Sequence, residues 1–146
     1  MIAGVEIQAL RQIIDDRGRV MHMMRSDNPM FVRFGESYFS EILPGQVKAW
    51  KRHSTSTQHL AVPVGTILLV IYDGRPDSVT QGQTVQLEIG RENYVLVRIP
   101  NGLWYGFKCI SLGPALIANC TDFPHDSGES ETKNELDFPT SAPWQP

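Results

Sequence analysis

Apolar residues recur along this chain at the spacing of strands. Val85, Leu87 and Ile89 share one face of "TVQLEIG", and Val95, Val97 and Ile99 lie opposite Tyr94, Leu96 and Arg98 in "NYVLVRIP". "GTILLVIYDGR" is apolar and β-branched until it breaks at Asp73-Gly74. "LWYGFKCISL" and "PALIANCTDF" follow, divided by Gly113-Pro114. Turn residues punctuate the rest at Asp15-Asp16-Arg17-Gly18, Pro44-Gly45, Gly82 and Pro100-Asn101-Gly102. Short strands between such turns predict an all-β sandwich or barrel. Only the stretch from Val5 to Ile14 has any helical character, and it reads better as strand.

The pattern changes near the end. Residues 1–123 read as one β-domain, while residues 124–146 are acidic, polar and proline-containing, with Leu136, Phe138 and Trp144 as scattered apolar anchors. That segment is expected to be an arm packed on the barrel or a partly disordered tail. The whole chain has 146 residues, 41% of them apolar, enough for a single core. Its net charge of −3 carries no basic surplus, which argues against a nucleic-acid partner. No apolar run approaches the roughly 18 residues of a membrane span, and the N-terminus lacks the order of a signal peptide, so a cytoplasmic protein is expected. Cys109 and Cys120 have no metal-site spacing and are expected to be reduced, buried thiols.

The candidate chemistry lies in "GQVKAWKRHSTSTQHLAVPVG", Gly45 to Gly65, which reads G-x5-K-x-H-x4-Q-x6-G. This resembles the first signature of the cupins, and Pro100-Asn101-Gly102-Leu103-Trp104-Tyr105 resembles the core of the second. The resemblance implies a double-stranded β-helix, a small jelly-roll barrel. The positions that hold metal in metal-binding cupins are here Lys51, His53, Gln58 and Tyr105. One imidazole beside an ammonium, a neutral amide and a phenol is a poor site for zinc or iron, so no metal is predicted.

Within the cupins the chain resembles the dTDP-4-dehydrorhamnose 3,5-epimerases. Asp15-Asp16-Arg17-Gly18 is similar to the family's D-x-R-G, Asp73-Gly74-Arg75-Pro76-Asp77-Ser78 to its D-x-R-x2-S, and Ile99 to Phe107 to its I-P-x-G-x2-H-G-F, with Tyr105 in the place of the histidine. The resemblance implies proton transfer next to a ketone on a 4-keto-6-deoxysugar nucleotide, in deoxysugar or surface-polysaccharide biosynthesis, without a cofactor. It also implies a homodimer. The departures are specific. The ungapped position of the family's base histidine holds Lys51, and that of its acid tyrosine falls near Ala118. By this resemblance, the C-terminal segment that carries the family's orienting aspartate is expected to have no counterpart in this shorter chain. Two readings therefore stand: an epimerase with a changed set of groups, or a non-catalytic cupin that binds a sugar nucleotide or a protein.

On a regular strand Val47, Ala49, Lys51 and His53 share the bore, and Lys48, Trp50 and Arg52 face away. Lys51 is then a base, an enolate stabiliser or an anion contact; His53 a base, an orienter or a satisfied core residue. Tyr105 is a proton donor or a packing aromatic. Arg17, Lys48 and Arg75 are candidates to hold a pyrophosphate, although Arg75 suits equally the closure of its own turn. Gln58 and Trp104 complete the candidate substrate contacts.

Overall fold

The structure is a computed structural model that describes residues 1–136 and Trp144. Chain order begins with strands β1 (Glu6–Ala9), β2 (Gln12–Asp15) and β3 (Gly18–Met21). The barrel proper is built from β4 (Glu36–Ile42), β5 (Val47–His53), β6 (Gln58–Val64) and β7 (Thr66–Tyr72). It continues with β8 (Thr84–Gly90), β9 (Val95–Ile99), β10 (Trp104–Cys109) and β11 (Ala115–Thr121). A short 3-10 turn, Ser127–Glu129, leads into β12 (Ser130–Thr132). The C-terminal anchor Phe138 lies outside the described residues.

Two five-stranded sheets face each other, in the orders β1-β9-β6-β11-β4 and β12-β5-β10-β7-β8. From β4 to β7 the chain changes sheet with each strand, and all the pairings are antiparallel. This is the cupin jelly roll that the resemblance implies, within the all-β class that the strand and turn pattern predicts. The β2–β3 hairpin forms a separate two-stranded ribbon.

The core between the sheets is made by alternate residues. Ile67, Leu69 and Ile71 of β7 meet Val95, Val97 and Ile99 of β9, all at most 7% exposed. At 25 cal/mol per Å² or so, burying side chains of this size is the main stabilising term. The other face of β7 is covered as well: Val70 packs with Trp50 and Trp104 in a second cluster, against which Trp144 lies. This explains why β7 reads as a continuous apolar run rather than an alternating one.

One irregularity sets the geometry of the site. Across β10 and β5, Tyr105 stands opposite Lys51, but Phe107 stands opposite Lys48. Ala49 and Trp50 together span Gly106, which is a β-bulge. Glycine is required there, because a Cβ would sit 2.4 Å from the Cβ of Ala49. The bulge changes the phase of the strand. Lys48 and Lys51 both face the bore, whereas strict alternation puts Lys48 outside. Val47 pairs with Lys108 and is turned away from the bore that alternation assigns to it.

Candidate active site

The bore encloses a cavity of about 330 Å³. Leu60, Phe107 and Ile117 give it apolar walls, and Tyr38, Tyr105, Asn119, Lys48 and Lys51 bring polar groups to it. A concave, mostly apolar space with a few convergent polar groups is the usual form of a small-molecule site.

His53 lies behind this cavity, 6% exposed, with both ring nitrogens engaged. Nδ1 is 2.7 Å from Oε1 of Glu129 and Nε2 is 3.1 Å from the hydroxyl of Tyr105. The carboxylate settles the tautomer. Glu129 also accepts from the backbone N–H groups of Thr55 and Ser56 and from the Ser56 hydroxyl. These donors and His53 hold its carboxyl down at about 2, against the opposing cost of burial. An ionised carboxylate only accepts, so Nδ1 carries the proton and Nε2 offers its lone pair. Tyr105 therefore donates to Nε2. Burial pushes the Tyr105 phenol far above its ordinary range, and burial likewise lowers His53 below 6.5 despite the counteracting Glu129. At neutral pH the resting chain is carboxylate, neutral imidazole, neutral phenol.

The parts of this chain come from distant segments. His53 ends β5, Tyr105 is the second residue of β10, and Glu129 closes the 3-10 turn whose N-cap is Asp126. The arm after residue 123 is fixed by β12, which pairs Ser130 with His53 and Thr132 with Lys51. Beyond it, Trp50 and Lys133 exchange backbone hydrogen bonds of 2.8 and 3.0 Å. A segment that reads as a peripheral arm thus supplies a central group. Nothing in the sequence marks Glu129, since one acid among several in an acidic stretch has no periodicity to single it out.

The other predicted residues divide. Lys51 borders the cavity and has no ion pair among the described residues. Lys48 reaches across the bore to Ser40 Oγ at 3.0 Å and to the carbonyl of Glu41 at 2.6 Å. Gln58 is buried behind the wall, where its Oε1 accepts from Asn119 Nδ2 at 2.6 Å. Trp104 lies on the outer face under the guanidinium of Arg52, 4.8 Å from the ring centroid. Arg75 is occupied by the buried Asp73, through Nε and Nη2, and by the carbonyl of Ala3. Arg17 sits at the exposed end of the β2–β3 hairpin, paired with Asp15. None of Gln58, Trp104, Arg75 and Arg17 lines the cavity. Two residues that do, Tyr38 and Asn119, escape the sequence reading altogether.

The donor set does not suit a metal. Both nitrogens of His53 are taken, Gln58 Oε1 is engaged by Asn119, and Lys51 is cationic. Among the described residues no group of three His, Cys, Asp or Glu side chains converges.

A histidine hydrogen-bonded to a carboxylate and to a phenol that borders the cavity, with two lysines on the same lining, is an arrangement able to take up and pass on a proton. No family model matches the chain. It is 37% identical over 140 residues to the protein named "Probable low-salt glycan biosynthesis epimerase Agl13" of Haloferax volcanii, covering 94% of this chain and 88% of that one. The chain belongs to the dTDP-4-dehydrorhamnose 3,5-epimerase-like family of sugar epimerases. Spore coat polysaccharide biosynthesis protein SpsL of Bacillus subtilis is 31% identical over 133 residues, covering 91% of this chain and 88% of its own. Among solved structures, the dTDP sugar isomerase of Desulfovibrio desulfuricans G20 superposes with a TM-score of 0.90 at 52% identity, over 98% of this chain and 88% of that one. Two of these relatives are named as an epimerase and an isomerase, and the enzyme reading prevails over the non-catalytic one.

Proposed function

We propose that this epimerase-family protein acts on a 4-keto-6-deoxysugar carried by a nucleoside diphosphate, inverting a carbon next to the ketone during the synthesis of a polysaccharide or other glycan. The observation that carries the reading is the hydrogen-bonded chain from Glu129 through His53 to Tyr105, which opens on the cavity beside Lys51.

The ketone acidifies the neighbouring C–H. As that proton moves to the Tyr105 oxygen, the Tyr105 proton moves to Nε2 of His53, and the charge is held as imidazolium beside the Glu129 carboxylate. The Lys51 ammonium faces the enolate oxygen that forms. The protons balance without a change of oxidation state, so the step calls for no redox cofactor.

The proposal includes a cytoplasmic homodimer. Ile13, Ile14 and Val20 of the β2–β3 hairpin and Phe34 and Phe39 nearby in sequence are exposed, apolar surface of the kind a second copy covers. No helix among the described residues is long and apolar enough to cross a membrane. Light scattering of the purified protein reads the oligomeric state. The function is tested by incubation with a panel of dTDP-4-keto-6-deoxysugars in D₂O, followed by NMR. Deuterium entering a carbon beside the ketone is the expected result; binding without entry would overturn the enzymatic reading for those sugars.

A further inference from the structure

Inversion needs a proton to leave one face of the sugar ring and another to arrive on the opposite face. Tyr105 and Lys51 face each other across β10 and β5, so both approach the cavity from the same sheet. A return proton carried by either would restore the starting configuration.

Tyr38 enters the same cavity from the other side. It lies on β4 of the facing sheet, with Ser40 on the same face of the strand. Its hydroxyl accepts a hydrogen bond from Asn119 Nδ2 at 2.8 Å. The amide cannot be turned round, because Asn119 Oδ1 accepts from the backbone N–H of His59 at 3.1 Å and Nδ2 also donates to Gln58 Oε1. The Tyr38 oxygen is thereby fixed as an acceptor, and among the described residues its own proton has no partner. Burial raises the Tyr38 phenol above its ordinary value, with Glu36 and Glu129 adding to it, so that proton is in place at neutral pH. The side chain also keeps contact with solvent, at 36% exposure.

Resting on the reading above, we propose that Tyr38 is the second proton carrier, giving its hydroxyl proton to the enolate carbon on the face opposite Tyr105. The C–H bond on the first face breaks toward Tyr105 and His53. A new C–H bond forms on the second face from Tyr38. The phenolate left behind is held by Asn119 Nδ2–H and by the ammonium of Lys48, which is bonded to Ser40 two residues along the strand. Water then reprotonates Tyr38, and His53 releases its proton to solvent. Asn119 is the positioning residue for this step.

Tyr38→Phe keeps the ring and leaves Asn119 bonded to Gln58, so the fold is retained. In D₂O this variant should continue to exchange deuterium into the starting sugar with retained configuration, while formation of the epimer falls by about 10²-fold or more. Tyr105→Phe should lose exchange and inversion together. Tyr38→Phe that forms epimer at the wild-type rate, or that loses exchange and inversion in equal measure, overturns the assignment while the function stands. Wild-type protein that shows no exchange on any sugar of the panel overturns the function and this assignment with it.

Discussion

Tyr105 and His53, 52 residues apart in sequence, are joined by a 3.1 Å hydrogen bond in which the phenol donates to Nε2. That direction is imposed from the far side of the ring by Glu129. The bond converts a buried imidazole, which has no direct face on the cavity, into a base that acts through its neighbour.

The first consequence is a pH dependence with a definite sign. His53 must be neutral to accept the Tyr105 proton, and burial keeps its pKa below 6.5. The acid limb of the activity profile should therefore lie at lower pH than an unburied histidine would give. Glu129 raises the His53 value from where burial alone would leave it. In Glu129→Gln the acid limb of kcat/KM should accordingly move to lower pH, while the maximal rate drops by about 10²-fold or more because the imidazolium loses its counter-charge. An unchanged rate and limb would show that the carboxylate only braces the arm.

The second concerns Arg75. Asp73 is fully buried and accepts from Arg75, Ser78 and Thr80, and its carboxyl lies well below the ordinary range chiefly because of Arg75. Arg75→Met leaves that charge with hydroxyl partners and the local backbone N–H. Thermal or denaturant unfolding should register a loss of about 3 kcal/mol, at the low end for a broken buried pair because the guanidinium is 27% exposed. The KM of the folded enzyme for its sugar nucleotide should stay unchanged. A raised KM with intact stability would instead assign Arg75 to the diphosphate.

The third addresses the bulge. A methyl at Gly106 has the Cβ of Ala49 at 2.4 Å and its Cα at 2.9 Å, and neither belongs to a flexible side chain that can swing away. Gly106→Ala should cost about 1–3 kcal/mol and displace Lys51 relative to Tyr105, with activity falling too. Gly113→Ala, where a Cβ meets nothing within 4 Å, is the control and should stay within about 0.5 kcal/mol of the parent.

These residues show where the sequence is transparent. Strands β7 to β11 follow from alternation and turn residues, because each of those signals is local. The spacing of Gly45, His53 and Gly65 leads to His53, and the second signature leads to Tyr105; the two meet. Glu129 is 76 residues from His53, and Tyr38 is 81 residues from Asn119. Partnerships at that separation are made by sheet order, which periodicity does not encode. Lys48 fails for a different reason: the phase change at Ala49 and Trp50 depends on a neighbour strand having glycine opposite. Arg75 fits both a turn and a phosphate site in sequence, and only the position of Asp73 distinguishes them.

Lys51 offers the test that separates two mechanisms at one residue. It borders the cavity opposite Tyr105, and its charge opposes protonation of His53. With the base supplied by His53 through Tyr105, the part left for Lys51 is a fixed positive charge beside the enolate oxygen. Lys51→Met keeps the length and apolar bulk and removes that charge. Deuterium exchange should slow by about 10²–10³-fold, the scale for loss of one group that stabilises a developing oxyanion, with little change in KM. Lys51→Arg restores the charge but cannot release a proton, so partial recovery is expected, limited by the larger planar head. If the arginine variant is as slow as the methionine variant, Lys51 itself moves the proton and the His53 chain is secondary. If both variants turn over like the wild type, the enolate is stabilised elsewhere, and the N–H of Asn119 and the ammonium of Lys48 on the opposite wall become the groups to remove next.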